Sequence, residues 1–361
     1  MNAKRGSFSS QSSEASAWAE ASGSPAGSVV SFSPLYLSPR MSTSLTSRDV
    51  MDWGFDIFTL DQETGGRCLS SVVSQVLART GVRSDMASAL IGVMQRAERE
   101  YTPSRSVSYH SHVHGADVAQ ALSVFMFGSS NFFASRLSAS LPADVDVELV
   151  VTASICAAGL HDLGHFGVNN AFLVRTGDPL AALYGNTSVL EKHHCARAME
   201  LLIDFPFRDR QEGEFFRKLV TEMILATDLS RHHEMISDPP QVSDYRGCLR
   251  LLLHAADVSN NARSTKIASQ WTERLMEEFY AQGDLERELG LPVTPIMDRH
   301  SCSVARVQIG FIDVVARPLF VAVCELVGEG LEFVLEQMDA NRESWAQSLV
   351  DEGLEETREA D

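Results

Sequence analysis

Val147-Glu-Leu-Val-Val-Thr-Ala-Ser-Ile-Cys-Ala-Ala-Gly-Leu-His161-Asp162-Leu-Gly-His165 is the stretch on which the reading of this chain turns. Asp146 stands just ahead of it, where a helix N-cap belongs, and Val147, Val151 and Ile155 repeat at the spacing of one helix face. That face leads straight to a histidine and an aspartate at its C-terminal end. The layout recurs downstream, where Asp244 precedes Tyr245, Cys248, Leu249, Leu252 and Ala256 and the run ends on Asp257. Ser84 caps a third run (Met86, Leu90, Met94, Ala97), and Ser264 opens a fourth (Ile267, Trp271, Leu275, Phe279). Few segments alternate apolar and polar residues strictly, so no sheet is predicted and the chain reads as all-α. Pro318 is expected to kink or divide the last long helix.

The helix ends carry the chemistry. Ten of the eleven histidines lie between His110 and His254. His161, Asp162 and Asp257 close two helices, and His114 arrives from Tyr109-His-Ser-His-Val-His-Gly-Ala-Asp117. Two imidazoles and two carboxylates (His114, His161, Asp162, Asp257) suit Zn²⁺ and leave room for water. If Asp162 also bridges to a second ion held otherwise by waters, that ion is expected to be hard, Mg²⁺ or Mn²⁺. Two such ions about 3.5–4 Å apart can share a hydroxide and clamp a phosphate. A departing oxygen also needs an acid. His110, four residues before His114, is expected on the same side of a helical turn.

The plainer readings of these residues are structural. A lone histidine is usually part of a core or surface, and His112 is expected to point away from the site. The pairs His193–His194 and His232–His233 each leave room for one structural member. Glu191 closes Ser188-Val-Leu-Glu191, which reads as a capping box with no chemistry.

Composition narrows the partners. The 361 residues carry a net charge of −18, which argues against nucleic acid because duplex binding needs clustered cations. Without a basic patch, bound metal ions are the natural source of positive charge for an anionic substrate. No run approaches the roughly 18 unbroken apolar residues of a membrane span, and no signal peptide opens the chain, so a cytoplasmic protein is expected. The six cysteines show no CxxC pair and read as free thiols. Residues 1–49 read as a disordered leader, with fifteen serines in the first fifty positions. Residues 50–345 read as one catalytic domain, and 346–361 as an acidic helix end or tail. The segments 126–146 and 230–243 read as longer connections.

Beyond the ligands, the motifs follow one another in a fixed order. Tyr109-His110-x-x-x-His114 and His161-Asp-x-x-His165 lead to Ser188-Val-Leu-Glu-x-His-His194 and Ala226-Thr-Asp-Leu-Ser-x-His232. His254-Ala-Ala-Asp257-Val-Ser-Asn260, Glu277-Glu-Phe-x-x-Gln-Gly-Asp284 and Gln308-Ile-Gly-Phe-Ile-Asp313 come after them. The set closely resembles the catalytic domain of class I cyclic nucleotide phosphodiesterases, a branch of the HD-type metallophosphohydrolases. The resemblance implies a bundle of about sixteen helices in three subdomains with the site at their junction. It implies hydrolysis of a 3′,5′-cyclic nucleotide to the 5′-monophosphate by in-line attack of a metal-bridging hydroxide, and Asn260 favours cAMP while cGMP stays open. It implies Zn²⁺ on His114, His161, Asp162 and Asp257, with Asp162 bridging to Mg²⁺, and His110 as the leaving-group acid. His165, Glu191 and Thr227 match positions that hold waters of the second metal or the phosphate.

For the substrate, the resemblance implies Gln308 reading the purine edge, with Phe311 and Leu275 clamping the base. Asn260 matches a position that contacts adenine, and Tyr109 stands at the substrate side. Both clamp residues also fit core periodicity. Gly164 and Phe166 depart from the family's pattern, which often has Asp and Pro there. Two other readings remain at this point: another HD phosphohydrolase acting on nucleotides with more phosphates, and an inactive nucleotide-binding sensor. The scarcity of basic residues disfavours the first, and the intact ligand and acid set disfavours the second. A homodimer is left open.

Overall fold

The computed structural model describes residues 49–101, 107–128 and 131–359, with side chains as far as Asp351. Apart from Asp49, the expected leader lies outside the described residues. Among those described there are fifteen α-helices and no strand, close to the sixteen helices expected.

The first four are α1 (Ile57–Thr64), α2 (Cys68–Thr80), α3 (Ser84–Glu100) and α4 (His112–Phe127). Asp56 caps α1 by accepting the Thr59 N–H, and α1 ends on Gly65 at φ 62°. Gly66 follows at φ 82°. Two successive residues in a region that side chains disfavour by about 1–2 kcal/mol turn the chain back, so that α2 packs on α1. The α3 boundary differs by one residue from the expectation. Ser84 is already helical, and Arg83 holds the cap position without a side-chain bond. Ser264 likewise takes its cap position with no side-chain bond.

Asp146 does cap α5 (Val147–Leu160), its carboxylate accepting the Glu148 N–H. The helices α4 and α5 are apolar on every side. All residues from Val113 to Phe127 and from Leu149 to Leu160 are buried, with α2, α3, α11 (Tyr245–Asp257) and α9 (Arg210–Ile224) packed around the pair. Burying a helix on all sides this way needs the near-continuous apolar sequences that they have. Three short helices, α6 (Asn170–Thr176), α7 (Pro179–Leu183) and α8 (Val189–Leu201), close over Phe172, Leu173, Val189 and Leu190. The segments expected as connections contain helical turns, a π segment at Phe133–Leu137 and α10 (His232–Ser237). Turns this short carry too few apolar residues to show a period.

The chain closes with α12 (Thr265–Glu288), α13 (Val304–Phe311), α14 (Arg317–Val327) and α15 (Glu332–Glu359). Between α13 and α14 the backbone widens into a π segment, Ile312–Ala316. Pro318 has no N–H to give and its ring crowds the carbonyl one turn back, and the wider turn accommodates both. The rod Val304–Val327 is 24 residues long and apolar enough in composition to cross a membrane. Asking for an unbroken apolar run overlooked it, because Arg306, Gln308, Asp313 and Arg317 interrupt the run. In this fold α14 packs on α11 and α15, burying Leu319, Phe320, Val323 and Leu326. At the C-terminal end α15 runs unbroken through residues 345 and 346, so the acidic segment continues a helix.

Candidate metal centre

Three helix ends meet. His114 lies in the first turn of α4, His161 caps α5 with Asp162 next to it, and Asp257 is the last residue of α11. The C-termini of α5 and α11 add the negative ends of their peptide dipoles to the two carboxylates. His114 Nε2 is 3.0 Å from Asp257 Oδ1 and 3.4 Å from Asp162 Oδ2. His161 Nε2 is 3.0 Å from Asp162 Oδ2 and 3.2 Å from Asp257 Oδ1. His161 Nδ1 donates to the Ala158 carbonyl at 2.8 Å, which turns the Nε2 lone pair inward.

These spacings test the donor set. Bonds of about 2.0–2.1 Å around one ion leave ligand atoms roughly 2.9 Å apart in an octahedron and roughly 3.4 Å apart in a tetrahedron. The four atoms sit at those separations. Asp162 Oδ2 is buried and accepts no well-directed hydrogen bond, although His161 Nε2 is 3.0 Å away. An oxygen in that position fits a shared cation better than a shared proton. In the protein alone the charges have only each other. Burial would lower the His161 pKa, yet Asp162 and Asp257 hold it well above its ordinary value. Burial would raise Asp162, yet His161 and then His110 hold it well below the usual carboxylate range.

His110 is not on the helix as expected. Ser111 is extended (φ −118°, ψ 176°) and α4 starts after it, so His110 belongs to the bend before the helix. What places it is Glu278, from α12. Glu278 Oε2 accepts the N–H groups of Tyr109 (3.0 Å) and His110 (3.3 Å), and Oε1 bonds His110 Nδ1. Burial would lower the His110 pKa, but Glu278 and then Asp162 raise it to about 9. The His165 ring stacks on His110 with centroids 3.9 Å apart, and its Nδ1 accepts the Gly167 N–H at 3.0 Å. Burial and the neighbouring His110 keep His165 neutral, well below its ordinary value. Sequence reasoning missed Glu278 as a functional residue. The available signal was its place on the face of Ile267 and Trp271, where a carboxylate needs a partner.

The remaining candidates fall around this core. Tyr109 is buried with its ring 4.6 Å from that of His114. His112 turns away, as expected, and bonds Asp61 at 3.1 Å. His194 is the deeper member of its pair. Its Nδ1 donates to the Leu163 carbonyl (2.9 Å), its Nε2 is 3.7 Å from Asp162 Oδ1, and burial pushes its pKa down to about 4. His193 packs instead against Phe166. Buried His232 bonds His254 at 3.1 Å. Thr227 closes a short 3₁₀ turn and donates to the Ile224 carbonyl at 2.9 Å.

The capping box does not form. Ser188 is left-handed (φ 45°) and its hydroxyl donates to Asp228 Oδ2 at 2.6 Å instead of to its own helix. That leaves Glu191 to accept from Asn170 Nδ2 at 3.0 and 3.2 Å, and burial followed by Asp228 raises its pKa to about 7.

Gln308 (3% exposed) and half-buried Phe311 share α13, and half-buried Leu275 lies on α12. Asn260 is buried in the 3₁₀ turn Ser259–Ala262 just after Asp257, and its Oδ1 accepts from Asn261 Nδ2 at 3.0 Å. That turn packs on α12 and on the π segment after Phe311.

The sequence model of the 3′5′-cyclic nucleotide phosphodiesterase family matches residues 109–338. This chain belongs to that family. The phosphodiesterase match opens at Tyr109, closes in α15, and takes in all four clustered ligands, His110 and Glu278. Among curated relatives, 3′,5′-cyclic-AMP phosphodiesterase 4C of Rattus norvegicus is 35% identical over 327 residues, covering 84% of this chain and 58% of the relative. The probable 3′,5′-cyclic-AMP phosphodiesterase pde-4 of Caenorhabditis elegans is 32% identical over 326 residues, covering 83% and 46%. The chain thus spans about half the length of the curated phosphodiesterases it matches. The solved structure of LmjPDEB1 in complex with IBMX superposes with a TM-score of 0.73 at 29% identity, over 84% of this chain and 93% of that one.

Within this phosphodiesterase-family chain the Gly164 departure has a local reason. Its φ is 81°, and a Cβ there would sit 3.1 Å from His193 Nε2, so glycine suits the turn after Asp162.

Proposed function

We propose that this chain hydrolyses a 3′,5′-cyclic nucleotide, cAMP ahead of cGMP, to the 5′-monophosphate and so ends a cyclic nucleotide signal. The observation that carries the reading is a four-ligand cluster with a histidine, His110, fixed at its edge by Glu278, which raises its pKa to about 9. His114, His161, Asp162 and Asp257 would hold Zn²⁺, and Asp162 would also serve a second, harder ion, Mg²⁺ or Mn²⁺. When bound, the metal supplies charge against the phosphate and an acidified water.

The chain's own groups do the rest. Because Glu278 occupies His110 Nδ1, Nε2 is the nitrogen that faces the departing 3′ oxygen. Hydrolysis places a water oxygen on phosphorus and breaks the P–O3′ bond, and the proton on His110 leaves with O3′. The proton that the water gives up goes to solvent, from which His110 is recharged. Its raised pKa keeps that proton in place at neutral pH. His165, Glu191 and Thr227 order water and phosphate around the cluster. Gln308 presents a donor and an acceptor to the purine edge, Phe311 and Leu275 grip the ring, Asn260 meets adenine, and Tyr109 walls the side next to His114. The names of the curated relatives from rat, mouse and worm, cyclic-AMP phosphodiesterases or a probable one, support cAMP over cGMP.

The test is side-by-side turnover of cAMP and cGMP by the purified chain with Mg²⁺, beside Asp162→Ala. Faster cAMP turnover is expected, with activity lost and helical content retained in the variant. Losing a ligand is expected to reduce turnover by more than about 100-fold, since even groups behind the ligands are worth 10–100-fold. Turnover surviving in metal-stripped Asp162→Ala would sink the site, and faster cGMP turnover would reverse the selectivity.

A further inference from the structure

A second group of ligating side chains lies outside this centre, and nothing in the proposed hydrolysis uses it. Asp61 comes from the last turn of α1, Cys68 from the first turn of α2 and His112 from the first turn of α4. The double left-handed turn at Gly65 and Gly66 is what returns Cys68 to the side of Asp61, only seven residues later. One ligand atom from each of the three lies within 4.8 Å of the others. His112 Nε2 is 3.1 Å from Asp61 Oδ1, and Asp61 lies within hydrogen-bonding reach of the Cys68 thiol. Cys68 is fully buried, whereas the His112 and Asp61 side chains keep 15% and 26% of their surface, so the cluster opens to solvent on one side. The buried Nδ1 of His112 has no protein partner, so the ring is held in the cluster by its Nε2 end alone.

We infer that Asp61, Cys68 and His112 form a binding site for a thiophilic divalent cation, Zn²⁺ by the chemistry of its donors. One thiolate, one imidazole and one carboxylate are ligand types that zinc accepts together, and hard ions such as Mg²⁺ disfavour sulfur. Three protein ligands leave a fourth position for water on the open side. Ligand atoms around a zinc ion stand roughly 3–4 Å apart, so small side-chain rotations from the present positions suffice. Coordination replaces the thiol proton by the ion. An ion here ties α1, α2 and the head of α4 together, and it fixes His112 between the proposed acid His110 and the ligand His114. The inference stands independently of the hydrolytic reading.

Cobalt separates this site from the main centre, because only a site containing sulfur gives a thiolate-to-cobalt charge-transfer band in the near ultraviolet. The full chain, reduced with a phosphine rather than a thiol, is titrated with Co²⁺. The expected result is that band, bleached by Zn²⁺ added beyond what the main centre takes up and retained in Asp257→Asn, which alters a ligand of the main centre only. Cys68→Ser and His112→Asn, each first checked for native far-ultraviolet dichroism and melting, are expected to lose it. No band in the unaltered chain overturns the inference, as does a band that persists in Cys68→Ser. His112→Asn keeps the thiol and tests the site separately from any effect of changing the buried cysteine.

Discussion

His110 Nδ1 bonds the carboxylate of Glu278 across 168 positions of sequence, joining the bend before α4 to the buried face of α12. The same carboxylate accepts two backbone N–H groups from Tyr109 and His110, which fixes its orientation. Burial would raise the Glu278 pKa, but His110 outweighs that and holds it at about 2. His110 and Glu278 therefore stay oppositely charged across the neutral range, and the proton on His110 is retained for the proposed transfer.

The sign of the pH dependence follows from that pair. His110 must be protonated to act, so activity is present below its pKa and is lost as pH rises through it, toward about 9. Bound metal offsets Asp162 and Asp257, two of the groups that raise it, so the limb falls below that value in the loaded enzyme. Glu278→Gln keeps the shape and removes the charge. Its alkaline limb is expected at lower pH, with kcat reduced about 10–100-fold, since positioned acids contribute about 100-fold or more. The check is kcat against pH for both proteins, with Glu278→Asp expected in between. A limb that stays in place means that Glu278 does not set the proton on His110.

Glu191 supplies a stability signature of the opposite kind. An ordinary glutamate titrates near 4.5, while folded Glu191 titrates at about 7. Between those values the folded chain holds a proton that the unfolded chain has lost. The contribution is therefore fully present below about pH 4.5 and disappears as pH rises through about 7. In the metal-free chain at pH 8, Glu191→Gln is expected to be more stable than the unaltered protein by up to about 3 kcal/mol. The two should converge near pH 4. Urea unfolding at both pH values measures the gap, and a gap that widens on acidification contradicts the assignment.

Asp117 and Arg263 are a fully buried pair at 2.7 Å, one turn beyond His114 and just past the Asn260 turn. Arg263 also donates to Gln120 Oε1 and the Trp53 carbonyl and lies over the Trp53 ring at 4.2 Å. Burial raises Asp117 and lowers Arg263 more strongly than their attraction corrects, so each charge tolerates its site only because of the other. Removing one partner, as in Asp117→Ala, is expected to cost about 3–5 kcal/mol. Asp117→Leu with Arg263→Met should cost less than either single change, because no charge is left alone. Chemical denaturation of Asp117→Leu, Arg263→Met and the double variant decides it, and a double variant that costs more than either single rejects the account.

How much of this was legible depended on whether a signal was local. Asp146 and Asp244 cap helices whose apolar faces run four residues at a time to His161 and Asp257, so those ligands could be placed from sequence alone. His110 was misplaced on a helix because the i to i+4 spacing to His114 is the same whether or not the residue between is helical. Ser111 is the cap residue of α4, so the helix begins after His110, and the serine is the local signal that the spacing argument passed over. Ser188-Val-Leu-Glu191 has the residues of a capping box, but Asp228, forty positions away, takes the serine hydroxyl. Glu278 lies on the apolar face of α12, but its partner His110 comes from 168 positions away. The capping box and Glu278 are cases of tertiary contact overriding a local pattern, whereas the place of His110 turns on a local cap.

On the proposed base contacts, Asn260 is expected to separate the two substrates and Gln308 to serve as its control. Asn261 Nδ2 donates to Asn260 Oδ1, which orients the Asn260 amide while leaving its Oδ1 a second lone pair for the amino group of adenine. Guanine presents a carbonyl at that edge, and the oxygen then faces an acceptor with nothing to share. Asn260→Ala is therefore expected to lower kcat/KM for cAMP about 10-fold, a loss of about 1.4 kcal/mol, while moving cGMP little. Gln308 lies buried on α13, and its amide can rotate to serve either purine, so Gln308→Ala should weaken both nucleotides alike. Because the base is remote from the P–O3′ bond, that loss should fall mainly on KM, with kcat nearly unchanged. Initial rates for both nucleotides with both variants give four values of kcat/KM. Equal losses on cAMP and cGMP in Asn260→Ala would remove it from base selection and leave selectivity to Gln308 and its neighbours on α13.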